Sequence, residues 1–151
     1  TDIRRIIFDL MPYTMTDYGL VETLNTFIQN RKGVEFNLII HEKAKIASSL
    51  IENNLFRIVQ EIHSNIVKHS RAKHATLQLN IDKDRITLSV QDDGIGFDAN
   101  KNNSGYGLVS IADRVELLNG TLEVESRPGE GTSIRVIVPN KEDYEKDIRN
   151  R

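Results

Sequence analysis

Apolar residues along the chain fall into two alternating kinds of pattern. Ile3, Ile6, Ile7 and Leu10 recur at helical spacing, and Met11-Pro12 ends that run. A second helix is expected from Tyr18 to Arg31, with Leu20, Leu24, Phe27 and Ile28 as its apolar stripe and Thr16 or Asp17 as its cap. After Gly33, the residues Val34, Phe36, Leu38 and Ile40 alternate with Glu35, Asn37 and His41, the period of a half-buried strand. The longest helical signal spans Ala47 to His69, with Leu55, Ile58, Val59, Ile62 and Ile66 on its apolar face. Two alternating runs follow, Ala75 to Ile81 and Ile86 to Val90, joined by Asp82-Lys83-Asp84 as a hairpin. A helix from Tyr106 to Leu118 stops at Asn119-Gly120. Leu122 and Val124, then Ile134, Val136 and Val138, make a last strand pair around Pro128-Gly129-Glu130-Gly131.

Helices and strands are interleaved, yet two strand pairs are joined by tight turns. This predicts an α+β fold, a two-layer sandwich with a mixed, mostly antiparallel sheet and helices on one face. The expected organisation is a helix end and linker over residues 1–17, a main domain over 18–140 and a charged tail over 141–151. The chain opens at Thr1 already in a helical pattern, which reads as a piece of a longer protein.

Composition narrows the partners. A net charge of −2 supplies no basic field for nucleic acid. The absence of cysteine excludes disulfides and thiolate metal sites. No apolar run approaches membrane-spanning length, so no membrane contact is expected and a cytoplasmic setting fits, whether or not a parent protein is anchored.

The segment QDDGIGFDANKNNSGYGL, residues 91–108, breaks the pattern with four of the nine glycines. Ile86, Leu88 and Val90 share one strand face, and the next residue of that parity is Asp92. Either the strand ends at Gln91 and Asp92 opens a turn, or a carboxylate sits at a pocket floor and takes a hydrogen bond from an amino group. Gly94 and Gly96 suit either an ordinary turn or the close approach of a ligand. Asp98 to Ser104 is polar and loop-like, and Gly105 and Gly107 open a helix whose free N–H groups favour phosphate. Carboxylate, loop and anion seat match the parts of an adenine nucleotide. Gly94 to Ala99 also fits the loose dinucleotide fingerprint G-x-G-x-x-A, but Asn100 to Ser104 forms helix poorly and no βαβ unit follows.

The long helix poses a parallel question. At ~100° per residue, Glu61, Asn65 and Lys68 fall within roughly 60°, with His69 at the edge of that arc. They form either a solvated helix face or a Mg²⁺-nucleotide contact. In the second case Asn65 offers one hard oxygen ligand, Lys68 neutralises phosphate, and Glu61 orients or deprotonates a nucleophile or reaches Mg²⁺ through water.

These segments resemble a known family. Glu61-x-x-x-Asn65-x-x-Lys68-His69 resembles the N-box of histidine kinases. Asp92-Asp93-Gly94-Ile95-Gly96 is similar to the first glycine box, Gly105-Tyr106-Gly107-Leu108 to the second, and Gly129-Glu130-Gly131-Thr132 to the closing element. Together they resemble the GHKL ATP-binding fold. Arg57 to Ala72 and the opening Ile3 to Pro12 are similar to sensor kinases paired with LuxR/NarL-type response regulators.

The resemblance implies ATP and Mg²⁺ as cofactors and a set of roles. Asp92 would take the adenine amino group, with Thr132 supporting it through water. Asn65 would ligate Mg²⁺, and Lys68 and His69 would contact phosphates. Gly94 and Gly96 would shape the nucleotide loop, and Gly105, Gly107 and Leu108 the lid hinge and phosphate seat. Glu61 stands where many relatives have Asn, leaving it open between Mg²⁺ shell and catalytic acid/base. No residue here matches the phosphoacceptor His; His41, His63, His69 and His74 all lie in the ATP-binding part. The implied partners are a dimerisation and phosphoacceptor domain and a LuxR/NarL-type regulator, with a monomeric fragment and a homodimeric parent. An anti-sigma-factor serine kinase shares the boxes, and a nucleotide-free interaction module is the third alternative.

Overall fold

The computed structural model describes residues 13–29, 33–98 and 107–142. The expected helix at Ile3 to Leu10, Gly105 and Tyr106, and most of the charged tail lie outside the described residues.

Strands β1 (Glu35–Glu42), β2 (His74–Ile81), β3 (Arg85–Asp92), β4 (Thr121–Ser126) and β5 (Thr132–Pro139) form one sheet in the order β1-β2-β3-β5-β4. β1 and β2 are parallel and the other pairs antiparallel, so the sheet is mixed as expected. Ala75, Leu77, Leu79 and Ile81, then Ile86, Leu88 and Val90, then Ile134, Val136 and Val138, are all buried on one face. Thr76, Gln78, Thr87, Ser89 and Arg135 alternate with them on the other. Helices α1 (Tyr13–Phe27), α2 (Ser49–Asn65) and α3 (Leu108–Leu117) form the second layer. The core lies between the layers, where each fully buried Leu or Ile contributes roughly 1.5–3 kcal/mol.

Helix α2 begins two residues later than its apolar pattern suggests. Ser48 is extended, and its hydroxyl accepts the Ile51 N–H at 3.3 Å, an N-cap placed where the helix needs one. Phe56 meets Phe27 edge to face at 5.4 Å. His63 stacks on Phe36 at 4.6 Å and lies 4.9 Å from Phe27, so α1, α2 and β1 share one aromatic cluster.

Helix α1 departs from expectation. It begins at Tyr13, so neither Thr16 nor Asp17 stands at its start. It is broken at Gly19, whose φ of 83° and ψ of −177° are non-helical. Glycine takes this backbone without strain, and the second half restarts with the Leu20 N–H donating to the Glu52 carboxylate. An acid from the first turn of α2 therefore caps α1. Burial raises the Glu52 pKa, opposed by the Leu20 hydrogen bond, with nearby Glu42 raising it further.

Candidate nucleotide-binding site

The end of β3 resolves the question of parity. The strand runs through Asp92, which lies on the core face and is 8% exposed. Its Oδ1 accepts the Gly94 N–H at 2.8 Å, and the Thr132 N–H also donates to the carboxylate. Burial raises the Asp92 pKa, the Gly94 N–H opposes this, the charge of Asp93 raises it further, and the Thr132 N–H opposes it again.

Asp92 lines a narrow pocket between the sheet and the helices. Its other walls are Ile62, Asn65, Ile66 and Ser70 from the long helix, Val90 from β3, Phe97, Leu108, and Thr132 and Ile134 from β5. An apolar slot with one carboxylate at its base suits a flat heteroaromatic ring carrying an amino group.

The structure thus gathers Asn65, Asp92, Leu108 and Thr132 around one cavity. Glu61 is outside its lining and lies against Gly107, where a Cβ would strike its carboxylate. Gly107 has φ 64° and ψ 17°, a left-handed conformation that suits glycine, and as the N-cap it sets the start of α3 at Leu108, two residues later than the expected Tyr106. Lys68 and His69 are exposed and do not line the cavity. The reason lies in the helix. Its last turn, Ile66–Ser70, is a π-helix, so the regular 100° spacing that placed these two beside Asn65 ends at Asn65.

Gly94 and Gly96 approach protein, not open ligand space. A Cβ at Gly94 would strike the Ser70 carbonyl, and one at Gly96 the Arg127 carbonyl. Gly131 is pressed in the same way against the Asp92 carbonyl. Ser70 is the hub of this packing. Its Oγ donates to Ile66 O at 2.9 Å and accepts the Ala72 N–H at 3.0 Å, while its carbonyl accepts the Ile95 N–H at 2.7 Å. The π turn and the loop after Asp92 are therefore fastened together.

Asp93, next to the buried acid, is exposed. It accepts the Lys73 and His74 N–H groups at 2.8 and 2.9 Å and meets His74 Nδ1 at 2.8 Å. These bonds, led by the His74 backbone and ring, lower its pKa to about 2.

Comparison with known proteins gives the site a context. The family model described as histidine kinase-, DNA gyrase B- and HSP90-like ATPase matches residues 51–142. The chain belongs to this ATPase family. It is 36% identical over 139 residues to the signal transduction histidine-protein kinase/phosphatase DegS of Bacillus subtilis, covering 85% of this chain and 36% of that protein. It is 35% identical over 142 residues to the sensor histidine kinase LiaS of the same organism, covering 91% of this chain and 39% of that protein. The chain thus spans well under half the length of these relatives. Among solved structures, the histidine kinase domain of the Erythrobacter litoralis EL346 blue-light activated kinase superposes with a TM-score of 0.62 at 19% identity. That match covers 84% of this chain and 62% of the other. The mycobacterial sensor histidine kinase MprB superposes at 0.60 with 23% identity, covering 84% and 95%. These likenesses support the same α+β fold.

Three residues at or behind the cavity carry no signal in the sequence. Phe97 sits in a polar stretch and carried no periodic signal, yet it is 8% exposed and lines the cavity. Ser70 and Ser126 act through hydrogen bonds that only the fold creates.

Proposed function

We propose that this chain is the ATP-binding catalytic domain of a sensor histidine kinase and works on ATP with Mg²⁺. The observation that carries the reading is the ionisable Asp92 carboxylate, buried at the base of an apolar pocket. The ring of adenine packs on Ile62, Ile66, Val90, Phe97 and Ile134, and its amino group donates to Asp92. Asn65, on the pocket wall, holds Mg²⁺ through its amide oxygen, a hard ligand of the kind that ion takes. The start of α3 at Gly107 and Leu108 offers N–H groups to phosphate, and Gly105, two residues earlier in the sequence, belongs to the same glycine box. Lys68 and His69, exposed on the π turn, contact phosphate oxygens in this reading. Glu61 acts as acid/base or through water, and its place against Gly107 ties it to the start of α3.

ATP supplies the γ-phosphoryl group, and Mg²⁺ its charge compensation. The acceptor is a His on a dimerisation helix, and the final recipient a LuxR/NarL-type response regulator. The relatives named above support this reading over an anti-sigma-factor kinase.

Calorimetry with a non-hydrolysable ATP analogue tests it. Micromolar-range binding is expected, with Asn65→Ala weakening the Mg²⁺-nucleotide about tenfold and the metal-free nucleotide less. Equal losses would remove the Mg²⁺ assignment. With γ-labelled ATP, label is expected on an added phosphoacceptor domain and not on this chain. No binding by a folded chain would leave a contact module.

A further inference from the structure

Ser126 ends β4 opposite Thr132, the first residue of β5. Its hydroxyl oxygen has three polar neighbours. Thr132 Oγ1 lies at 2.8 Å, the Gly131 carbonyl oxygen at 3.1 Å and the Phe97 nitrogen at 2.9 Å.

A serine hydroxyl has one proton to give and two lone pairs to receive. The Phe97 N–H can only donate and the Gly131 carbonyl can only accept. Ser126 meets both by accepting from Phe97 and donating to Gly131. Its remaining lone pair then suits only a donor, so Thr132 gives its hydroxyl proton to Ser126. The reverse assignment, with Ser126 donating to Thr132, forfeits the bond to Gly131. All three contacts form together in one arrangement alone.

That arrangement has a consequence inside the pocket. With its proton committed to Ser126, the Thr132 oxygen offers only lone pairs. Thr132 pairs with Asp92 across β3 and β5, and an ionised carboxylate also offers only lone pairs. This wall of the cavity is therefore built to accept and not to donate. We infer that Ser126 is a positioning residue for base specificity. It holds the Thr132 hydroxyl as an acceptor, so the pocket takes a 6-aminopurine and rejects a 6-oxopurine. The inference rests on the nucleotide reading above and deepens it.

ADP and IDP differ at this edge of the base, and calorimetry with both tests the assignment. The wild-type chain is expected to prefer ADP. Ser126→Ala frees the Thr132 proton to turn toward a carbonyl, and the ADP-over-IDP preference is expected to fall about tenfold, the scale of one hydrogen bond. Thr132→Val removes the hydroxyl, and Ser126→Ala added to it is expected to change the preference no further, because Ser126 acts through Thr132. Ser126→Thr keeps a hydroxyl and is expected to restore the wild-type preference. Thermal melting of each variant reports folding. Should Ser126→Ala not fold, the near-isosteric Ser126→Cys, a weak donor and acceptor, is expected to lose the preference in its place.

Equal weakening of ADP and IDP in the Ser126 variants, or an unchanged preference, would overturn the inference while leaving the nucleotide pocket intact. So would a loss that adds fully to that of Thr132→Val. A folded wild-type chain that binds neither nucleotide, or an undiminished Asp92→Asn, would reject the pocket reading and this inference with it.

Discussion

Asp92 and Asn140 close opposite ends of the same sheet, and each is 8% exposed. Their hydrogen bonds set them apart. Asn140 spends both its donors and one acceptance on backbone. Its Oδ1 accepts the Ala47 N–H at 2.8 Å, and its Nδ2 donates to Lys45 O and Asp82 O, both at 2.9 Å. Both amide protons are spent, and the loop before α2 is tied to the β2–β3 turn. Asp92 receives two backbone N–H groups, from Gly94 and Thr132, and keeps a carboxylate edge on the cavity. Equal burial thus marks two different things. A polar group saturated by backbone is a latch, whereas one left with acceptor capacity beside a cavity is a recognition group.

The largest effect is expected when the latch is given the site's chemistry. Asn140→Asp keeps an acceptor for Ala47 but brings no donors. The Lys45 and Asp82 carbonyls lose their partners and a charge is buried among them. A loss of about 3 kcal/mol or more in unfolding free energy is expected, read from urea denaturation. Nucleotide affinity of the folded fraction is expected to hold. A stability unchanged within about 0.5 kcal/mol would break the contrast.

The converse substitution, Asp92→Asn, comes next and acts on binding. It removes a charged acceptor, worth about 1.5–3 kcal/mol, so affinity is expected to fall by about 10- to 100-fold. Stability is expected to stay level or rise at neutral pH. The Asp92 pKa is raised in the folded chain, so its ionisation works against folding. That cost is absent below the unfolded pKa and fully present once pH passes the folded value. Asn removes it and can still accept the Gly94 N–H. A substantial loss of stability together with intact binding would make Asp92 another latch.

This contrast was half visible in the sequence. Strand period put Asp92 in line with Ile86, Leu88 and Val90, so its burial was one of the two readings that parity left open. Asn140 follows Pro139 just outside the alternating run, and nothing local shows that its partners sit at Lys45, Ala47 and Asp82. The break in α1 was hidden for the same reason. Gly19 permits it, but the acid that restarts the helix is Glu52, on another helix. Gly94 and Gly96 stood out as special, yet what requires them is packing on Ser70 and Arg127. The π turn after Asn65 is likewise fastened by Ser70 and the Ile95 N–H, contacts that exist only once the loop has docked. Local pattern fixed the layers, while side-chain roles at the site depended on long-range bonds.

Asp93 supplies the smallest and most discriminating test, because it adjoins Asp92 with the opposite shift. Its folded pKa is about 2, below the ordinary value of 3.8. A depressed carboxylate stabilises the fold above its unfolded pKa, and this contribution is lost as pH falls from about 4 toward 2. Asp92 has the reverse sign, its raised pKa favouring the folded chain at low pH. Asp93→Asn is therefore expected to flatten the acid limb of the stability-versus-pH curve, and Asp92→Asn to steepen it. The Asp93 effect is expected to be modest, because the side chain is 49% exposed and solvent screens it. The His74 ring, with Glu35 on its far side, and the Asp92 carboxylate are the titratable groups around it, so the measurement belongs at fixed ionic strength. Carboxyl chemical shifts followed from pH 6 to pH 1.5 would read both groups directly. Two neighbouring acids titrating together near 3.8 would mean that the sheet end does not divide them into a recognition group and a surface clip.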